Sequence, residues 1–240
     1  MYWKTYFGRC IYQASDVRVY QNLAYRWLTF NNPGIQTLIN IKNPAKIELS
    51  YIYALSCAAR QSPGSACLLG LGGGGILHAL SSLYENMTLT AVEYDARIIQ
   101  IAQQFFSINE IKHLNIYHDD AADFVKKNQQ PYQHLLVDLY HKDSFPKHCN
   151  SLEFFKFCQT CLEPTGVLAV NLSSLSNQLC IVHYIRELFP NRTVLCPIRN
   201  TTNLIVLASQ SDSLLTLIQH DRALKELYWH ATWGHVAIFK

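Results

Sequence analysis

From residue 66 to residue 189 the chain switches repeatedly between short apolar runs and longer stretches whose apolar residues recur three or four apart. The short runs read as buried strands and the longer stretches as helices covering them. The pattern predicts strand 66–70 and helix 74–84, strand 88–93 and helix 95–106, and strand 114–118 and helix 120–127. It continues with strand 133–138, a loop and helix 151–162, then strand 166–171 and helix 174–189. Helix 95–106 places Ile98, Ile99, Ala102, Phe105 and Phe106 on one face, and helix 174–189 repeats Leu175, Leu179, Val182, Ile185 and Phe189 at helical spacing. Such alternation specifies parallel βαβ units, hence an α/β, Rossmann-like doubly wound sheet with helices on both faces.

The two ends follow another rhythm. Runs 17–20, 25–30 and 35–39 are short and β-prone, separated by Gln21-Asn22 and by the turn residues 31–34. They predict a small antiparallel sheet in which 25–30 and 35–39 form a hairpin. Asn43-Pro44 introduces a helix from about 48 to 60, which Ser62-Pro63-Gly64 ends. Near the other terminus, 194–196 and 204–208 flank 199–203 and predict an antiparallel hairpin on the sheet edge, then a helix near 212–227 and a short tail. The expected organisation is an N-terminal β extension, 1–46, and a Rossmann-like nucleoside-binding domain, 47–240.

Composition narrows the class. Of 240 residues 49% are hydrophobic and 15% charged, which predicts a well-covered core and a self-association face. A net charge of +3, spread along the chain, gives no footprint for nucleic acid. No apolar run reaches the eighteen or so residues of a membrane span, and the first residues lack the continuous apolar core of a signal peptide. A soluble, cytoplasmic protein with no membrane or nucleic-acid partner is the expectation. The eight cysteines, at 10, 57, 67, 149, 158, 161, 180 and 196, sit mostly within apolar patterns and read as reduced core residues. Cys158 and Cys161 have CxxC spacing, but they lie in a helical run without a second Cys/His pair, so no zinc site is expected there.

The candidate chemistry gathers at the ends of the predicted strands. Gly70, Gly72 and Gly75 give the spacing Gly-x-Gly-x-x-Gly between strand and helix. Glycines there allow a tight turn and let a ligand lie against bare backbone at a helix N-terminus. The next strand ends in Glu93, about twenty residues on, where dinucleotide-type folds hold ribose hydroxyls. Asp119, Asp120, Ala121 and Asp123 follow the third strand, where Asp120 can accept from an adenine amino group and the next N–H can reach a ring nitrogen. Asp138 follows the fourth, at the reacting end. Each acid has a plainer alternative as a helix N-cap or surface charge. Nicotinamide and S-adenosylmethionine enzymes share this first half; Asp120-Ala121 and the terminal hairpin favour the sulfonium class.

Taken in order, Leu-Leu-Gly-Leu-Gly-Gly-Gly-Gly (68–75), Ala-Val-Glu-Tyr-Asp (91–95), Asp-Asp-Ala-Ala-Asp-Phe (119–124), Leu-Leu-Val-Asp-Leu-Tyr (135–140), Leu-Glu-Phe-Phe (152–155) and Leu-Glu-Pro-Thr-Gly-Val-Leu (162–168) resemble the spermidine synthase family. These are polyamine aminopropyltransferases on the class I methyltransferase fold, and the resemblance spans about residues 15–210. It implies S-adenosylmethionine or decarboxylated S-adenosylmethionine as the sulfonium nucleoside, no metal, and a small-molecule amine as acceptor, with 5′-methylthioadenosine leaving. By the same resemblance Asp138 aligns with the catalytic acid and Tyr51 with a tyrosine that orients the amine. Gln36 aligns with a cofactor-contacting glutamine, beside a cradle of Gly70, Gly72, Gly73, Gly75, Glu93, Asp120 and Ala121, and loop 139–150 is expected to close over the site. The family motif usually reads Gly-Gly-Gly-Asp-Gly-Gly, its Asp binding the aminopropyl ammonium; here that position is Gly73. His141 replaces a second acid after the fourth strand and is a candidate base at neutral pH. Ile52-Tyr53 stand where the family tends to have Gln-Glu. These departures keep two alternatives open: an S-adenosylmethionine-dependent methyltransferase of unknown acceptor, and an inactive nucleoside-binding scaffold. In the family the β extension often joins subunits, so the oligomer expected, if one forms, is a homodimer.

Overall fold

The computed structural model describes residues 2–31, 34–83, 88–140, 145–173 and 175–240. Its N-terminal sheet runs in sequence order through β1 (Arg9–Ala14), β2 (Val17–Gln21), β3 (Tyr25–Thr29) and β4 (Ile35–Asn40), antiparallel throughout. The expected hairpin is β3–β4, with Tyr25 opposite Asn40. Strand β1 goes beyond the sequence pattern: its residues are exposed or half-buried, so no apolar period marks it. Val17, Val19, Leu28 and Leu38 point inward and join the core under one face of the main sheet.

The helix predicted over 48–60 is two shorter ones, α1 (Tyr51–Leu55) and α2 (Cys57–Gln61). Between them the buried Ser56 hydroxyl donates to the carbonyl of Ile52, 2.6 Å away. A serine bonding back to the preceding turn competes with the helical ladder and bends it.

The main domain holds β5 (Ala66–Leu69), β6 (Leu89–Glu93), β7 (Leu114–His118), β8 (Tyr132–Val137), β9 (Leu162–Leu172), β10 (Thr193–Pro197), β11 (Leu204–Ser209), β12 (Leu224–His230) and β13 (Gly234–Phe239). Among the described residues these form one sheet in the order β12-β13-β10-β11-β9-β8-β5-β6-β7. The five strands β7, β6, β5, β8 and β9 are parallel, and β11 is antiparallel to both β9 and β10. Helices α3 (Gly75–Ser81), α4 (Ala96–Phe105), α5 (Ala121–Lys127), α6 (Leu152–Thr160) and α7 (Leu175–Leu188) provide the crossovers. All four residues of β5 are buried, as a central strand covered on both faces requires. Strand order reverses between β5 and β8, so their C-terminal ends diverge and leave a crevice, the general binding position of open α/β sheets.

The C-terminal expectation is corrected. Helix α8 (Leu214–Gln219) ends well short of 227, and the rest of that segment and the tail form the hairpin β12–β13. Buried Asp221 turns the chain, accepting from the Ala223 N–H at 2.7 Å and pairing with Arg60 of α2 at 2.6 Å. Strand β13 then pairs in parallel with β10, so the β10–β11 hairpin lies inside the sheet rather than at its edge. The apolar spacing of Leu224, Leu227 and Tyr228 suits a helix, but pairing with Phe239, Ala237 and Val236 across the hairpin overrides it.

Candidate active site

A cavity of about 1030 Å³ opens at the C-terminal ends of β5, β6, β8 and β9 and is walled on the other side by β4 and α1. Gly70 and Gly72 take left-handed backbone, φ +94° and +51°, which glycine adopts without steric penalty. A Cβ at Gly70 would lie 2.4 Å from the Asp138 carbonyl oxygen. The loop therefore crosses directly over the end of β8, where Asp138 donates its N–H to the carbonyl of Leu69.

Glu93 ends β6 and is buried, yet each carboxylate oxygen has a donor. Oε2 accepts from the Leu71 N–H and Oε1 from the Asp95 N–H, both at 3.0 Å. Burial raises its pKa, and these amides together with that of Gly72 oppose the rise. Glu93 thus holds the glycine loop as well as facing the cavity. Asp95 caps α4 and pairs with Arg97, which also reaches Asp16 in the β1–β2 turn, so the N-terminal sheet supplies part of the rim.

Asp120 is the N-cap of α5, its Oδ1 accepting from the Ala122 N–H at 2.8 Å. Its Oδ2 lies 2.9 Å from His148 Nε2, and Cys149 completes a group whose polar atoms lie within 4.8 Å of one another. Burial pushes the Cys149 thiol up to about 12, so it stays protonated at neutral pH. Of the expected loop 139–150, residues 141–144 lie outside the described residues; the Asp120–His148 pair latches 145–150 against α5.

At the other end, Asp138 follows β8 and is gripped from two elements. Tyr51 of α1 donates its hydroxyl to Oδ2 at 2.9 Å, and Asn171 at the end of β9 donates its amide to Oδ1 at 2.7 Å. Burial raises the Asp138 pKa above the ordinary carboxylate range, while the two donors oppose the rise by favouring the charged form. The Tyr51 phenol is pushed well up, by its own burial first and by the facing carboxylate next. Asn171 accepts in turn from the Asn203 amide at 2.9 Å.

Gln36, Tyr51, Gly70, Gly72, Gly75, Glu93, Asp120, Ala121 and Asp138 all line this one cavity. Gly73 lies behind it, buried against the Thr37 methyl and the Phe106 ring, with its N–H donated to Thr37 Oγ1 at 2.8 Å. His141 lies outside the described residues. Sequence reasoning passed over Thr37, His148, Asn171 and Asn203. Asn171 had a usable signal, a polar residue at the C-terminal end of a parallel strand, the rule that found Glu93 and Asp138. Thr37 comes from β4 and Asn203 from the connection between β10 and β11, segments whose approach to the site no local pattern encodes.

Residues 46–202 match the spermine/spermidine synthase domain. The chain belongs to the spermine/spermidine synthase family. It is 28% identical over 224 residues to a probable polyamine aminopropyl transferase of Bifidobacterium longum, covering 88% of this chain and 49% of that one. It is 26% identical over 178 residues to a polyamine aminopropyltransferase of Vibrio vulnificus, covering 70% and 58%. The chain thus spans about half the length of these relatives. The crystal structure of a probable spermidine synthase from Corynebacterium glutamicum superposes with a TM-score of 0.73 at 19% identity, over 87% of this chain and 83% of that one. At that identity the superposition bears on the fold alone.

Proposed function

We propose that this chain binds a sulfonium nucleoside, S-adenosylmethionine or its decarboxylated form, and transfers the aminopropyl group of the latter to a small-molecule amine. The observation that carries the reading is Asp138, a half-buried carboxylate held between Tyr51 and Asn171 on the wall of a cavity that a glycine loop also lines. The donor set fits a nucleoside: Glu93 for the ribose hydroxyls, Asp120 and the Ala121 N–H for adenine, and bare backbone at Gly70 and Gly72 where the chain must approach the ligand. Release of His148 from Asp120 would free the adenine end. When bound, the sulfonium supplies its own thioether leaving group, so the chemistry calls on no metal. What remains for the protein is positioning and a proton. Tyr51 and Asp138 orient the amine in line with the carbon next to sulfur. As the nitrogen–carbon bond forms and the carbon–sulfur bond breaks toward sulfur, Asp138 takes the proton that leaves nitrogen.

Asp138 must be ionised to act, and burial raises its pKa, so the acidic limb of kcat is expected above the usual carboxylate value of about 3.9. Asp138→Asn is expected to lower kcat by about 10²–10⁴-fold, the range of a lost general base, with nucleoside affinity by calorimetry within a few-fold of wild type. Unchanged turnover removes Asp138 from the mechanism. Tighter binding of intact S-adenosylmethionine without aminopropyl transfer shifts the reading to methyl transfer. A homodimer through the N-terminal extension accords with the exposed Trp3, Tyr6, Phe7 and Leu23, and sedimentation measures it. The eight free cysteines accord with a reducing compartment such as the cytoplasm.

A further inference from the structure

We propose that Asn203 is a positioning residue for Asp138, acting through Asn171: it fixes which end of the Asn171 carboxamide faces the carboxylate. The inference rests on the reading of Asp138 as the proton acceptor for its catalytic meaning, but the orientation itself is a property of the ligand-free chain. An ionised carboxylate only accepts hydrogen bonds, and a carboxamide has one donating and one accepting end of nearly equal shape. Asn171 can meet Asp138 productively in one of its two orientations only. Asn203 selects that orientation, because its Nδ2 donates to Asn171 Oδ1 at 2.9 Å and so leaves the Asn171 NH₂ turned to Asp138 Oδ1 at 2.7 Å.

Asn203 is itself held. It closes the β10–β11 connection, where its carbonyl accepts from the Ile198 N–H at 3.0 Å and its own N–H donates to Thr201 Oγ1 at 3.1 Å. Thr201 Oγ1 in turn donates to the Ile198 carbonyl. The connection passes through Asn200 at φ +60°, a left-handed position that asparagine tolerates better than most residues. The antiparallel hairpin therefore delivers one side chain to the back of the site. Asn171 and Asn203 both line the cavity, Asn171 9% exposed and Asn203 half-buried. Among the described residues Tyr51 is the titratable group hydrogen-bonded to Asp138, while Glu93 from β6, Asp120 before α5, and His148 and Lys147 from 145–150 line the same cavity.

The test uses Asn203→Asp, nearly isosteric but unable to donate, and Asn203→Leu, which removes the bond without adding charge. In Asn203→Asp the new carboxylate captures the Asn171 NH₂ and turns its carbonyl onto Asp138, which then favours the protonated acid. Selective ¹³C labelling of aspartate, with the Asp138 signal assigned from Asp138→Asn, reads its titration in ligand-free protein. The expected order of midpoints is wild type, then Asn203→Leu, then Asn203→Asp. In an Asn171→Leu background the Asn203→Asp shift is expected to shrink to the direct charge effect. In turnover, kcat at pH 7 is expected to fall about 10-fold for Asn203→Leu and about 100-fold for Asn203→Asp, with KM for the amine within about two-fold. An Asn203→Asp shift of equal size with and without the Asn171 amide overturns the proposal, as does an unmoved midpoint in both variants. If the titrations follow the expected order but the wild type transfers no aminopropyl group, the relay stands and the catalytic reading falls.

Discussion

His134 occupies the middle of the central strand β8 with 1% of its surface exposed. Its Nε2 lies 2.7 Å from the Ser62 carbonyl, and Nδ1 is buried with no hydrogen-bond partner among the described residues. Burial lowers its pKa to about 4, against the ordinary 6.5, so the native ring is neutral. Between those values the unfolded chain takes up the proton and the folded chain does not. The stability this residue permits is therefore complete above about pH 6.5 and lost as pH falls toward 4, on the order of 2–3 kcal/mol. Urea unfolding across pH 4–7 should show the slope, and His134→Leu should flatten it; an undiminished slope in the variant would place the proton uptake elsewhere. Residues of this kind also mark the limit of single-position reading. Asp138 was legible because it ends an apolar run. The donors that keep it chargeable, Tyr51 of α1 and Asn171 of β9, lie 87 and 33 positions away.

At the scale of elements, the glycine loop is a packing surface as much as a ligand cradle. The family's acid at position 73 has no room here, since a Cβ would meet Thr37 Cγ2 at 2.9 Å and Phe106 Cδ1 at 3.1 Å. Gly73→Asp is expected to destabilise by about 1–3 kcal/mol, the scale of overpacking, read as a lowered melting temperature. Adding Thr37→Ser removes the nearest obstruction, the methyl, but keeps the hydroxyl that accepts the Gly73 N–H, so the double variant should recover part of the loss, the Phe106 contact remaining. Equal stability of the single variant and wild type would show that the loop has slack the geometry denies. The strand–helix alternation was legible because each crossover buries an apolar face of its own. The break at Ser56 was not, because a hydroxyl turning back on its own helix leaves no mark in the hydrophobic period.

At the scale of the whole molecule, the buried Arg60–Asp221 pair joins the first helices to the corner that launches the C-terminal hairpin. The Asp221 side chain is fully buried and that of Arg60 16% exposed, so removing one partner strands a charge. Arg60→Ala should lower unfolding free energy by about 3 kcal/mol, and Arg60→Met with Asp221→Leu should restore much of it; urea titration of both variants decides, and a single variant within about 0.5 kcal/mol of wild type denies the pair this role. The sequence by itself determined what local periodicity and strand-end chemistry can carry: the parallel βαβ series, the crevice, the glycine turn, and the acids at 93, 120 and 138. Tertiary structure alone decided the rest. It set the C-terminal hairpin against β10, turned Gly73 toward Thr37, paired Asp120 with His148, and brought Asn203 behind Asn171. Those contacts join segments distant along the chain, and their stability comes from burial and hydrogen bonds that exist only once the sheet has assembled.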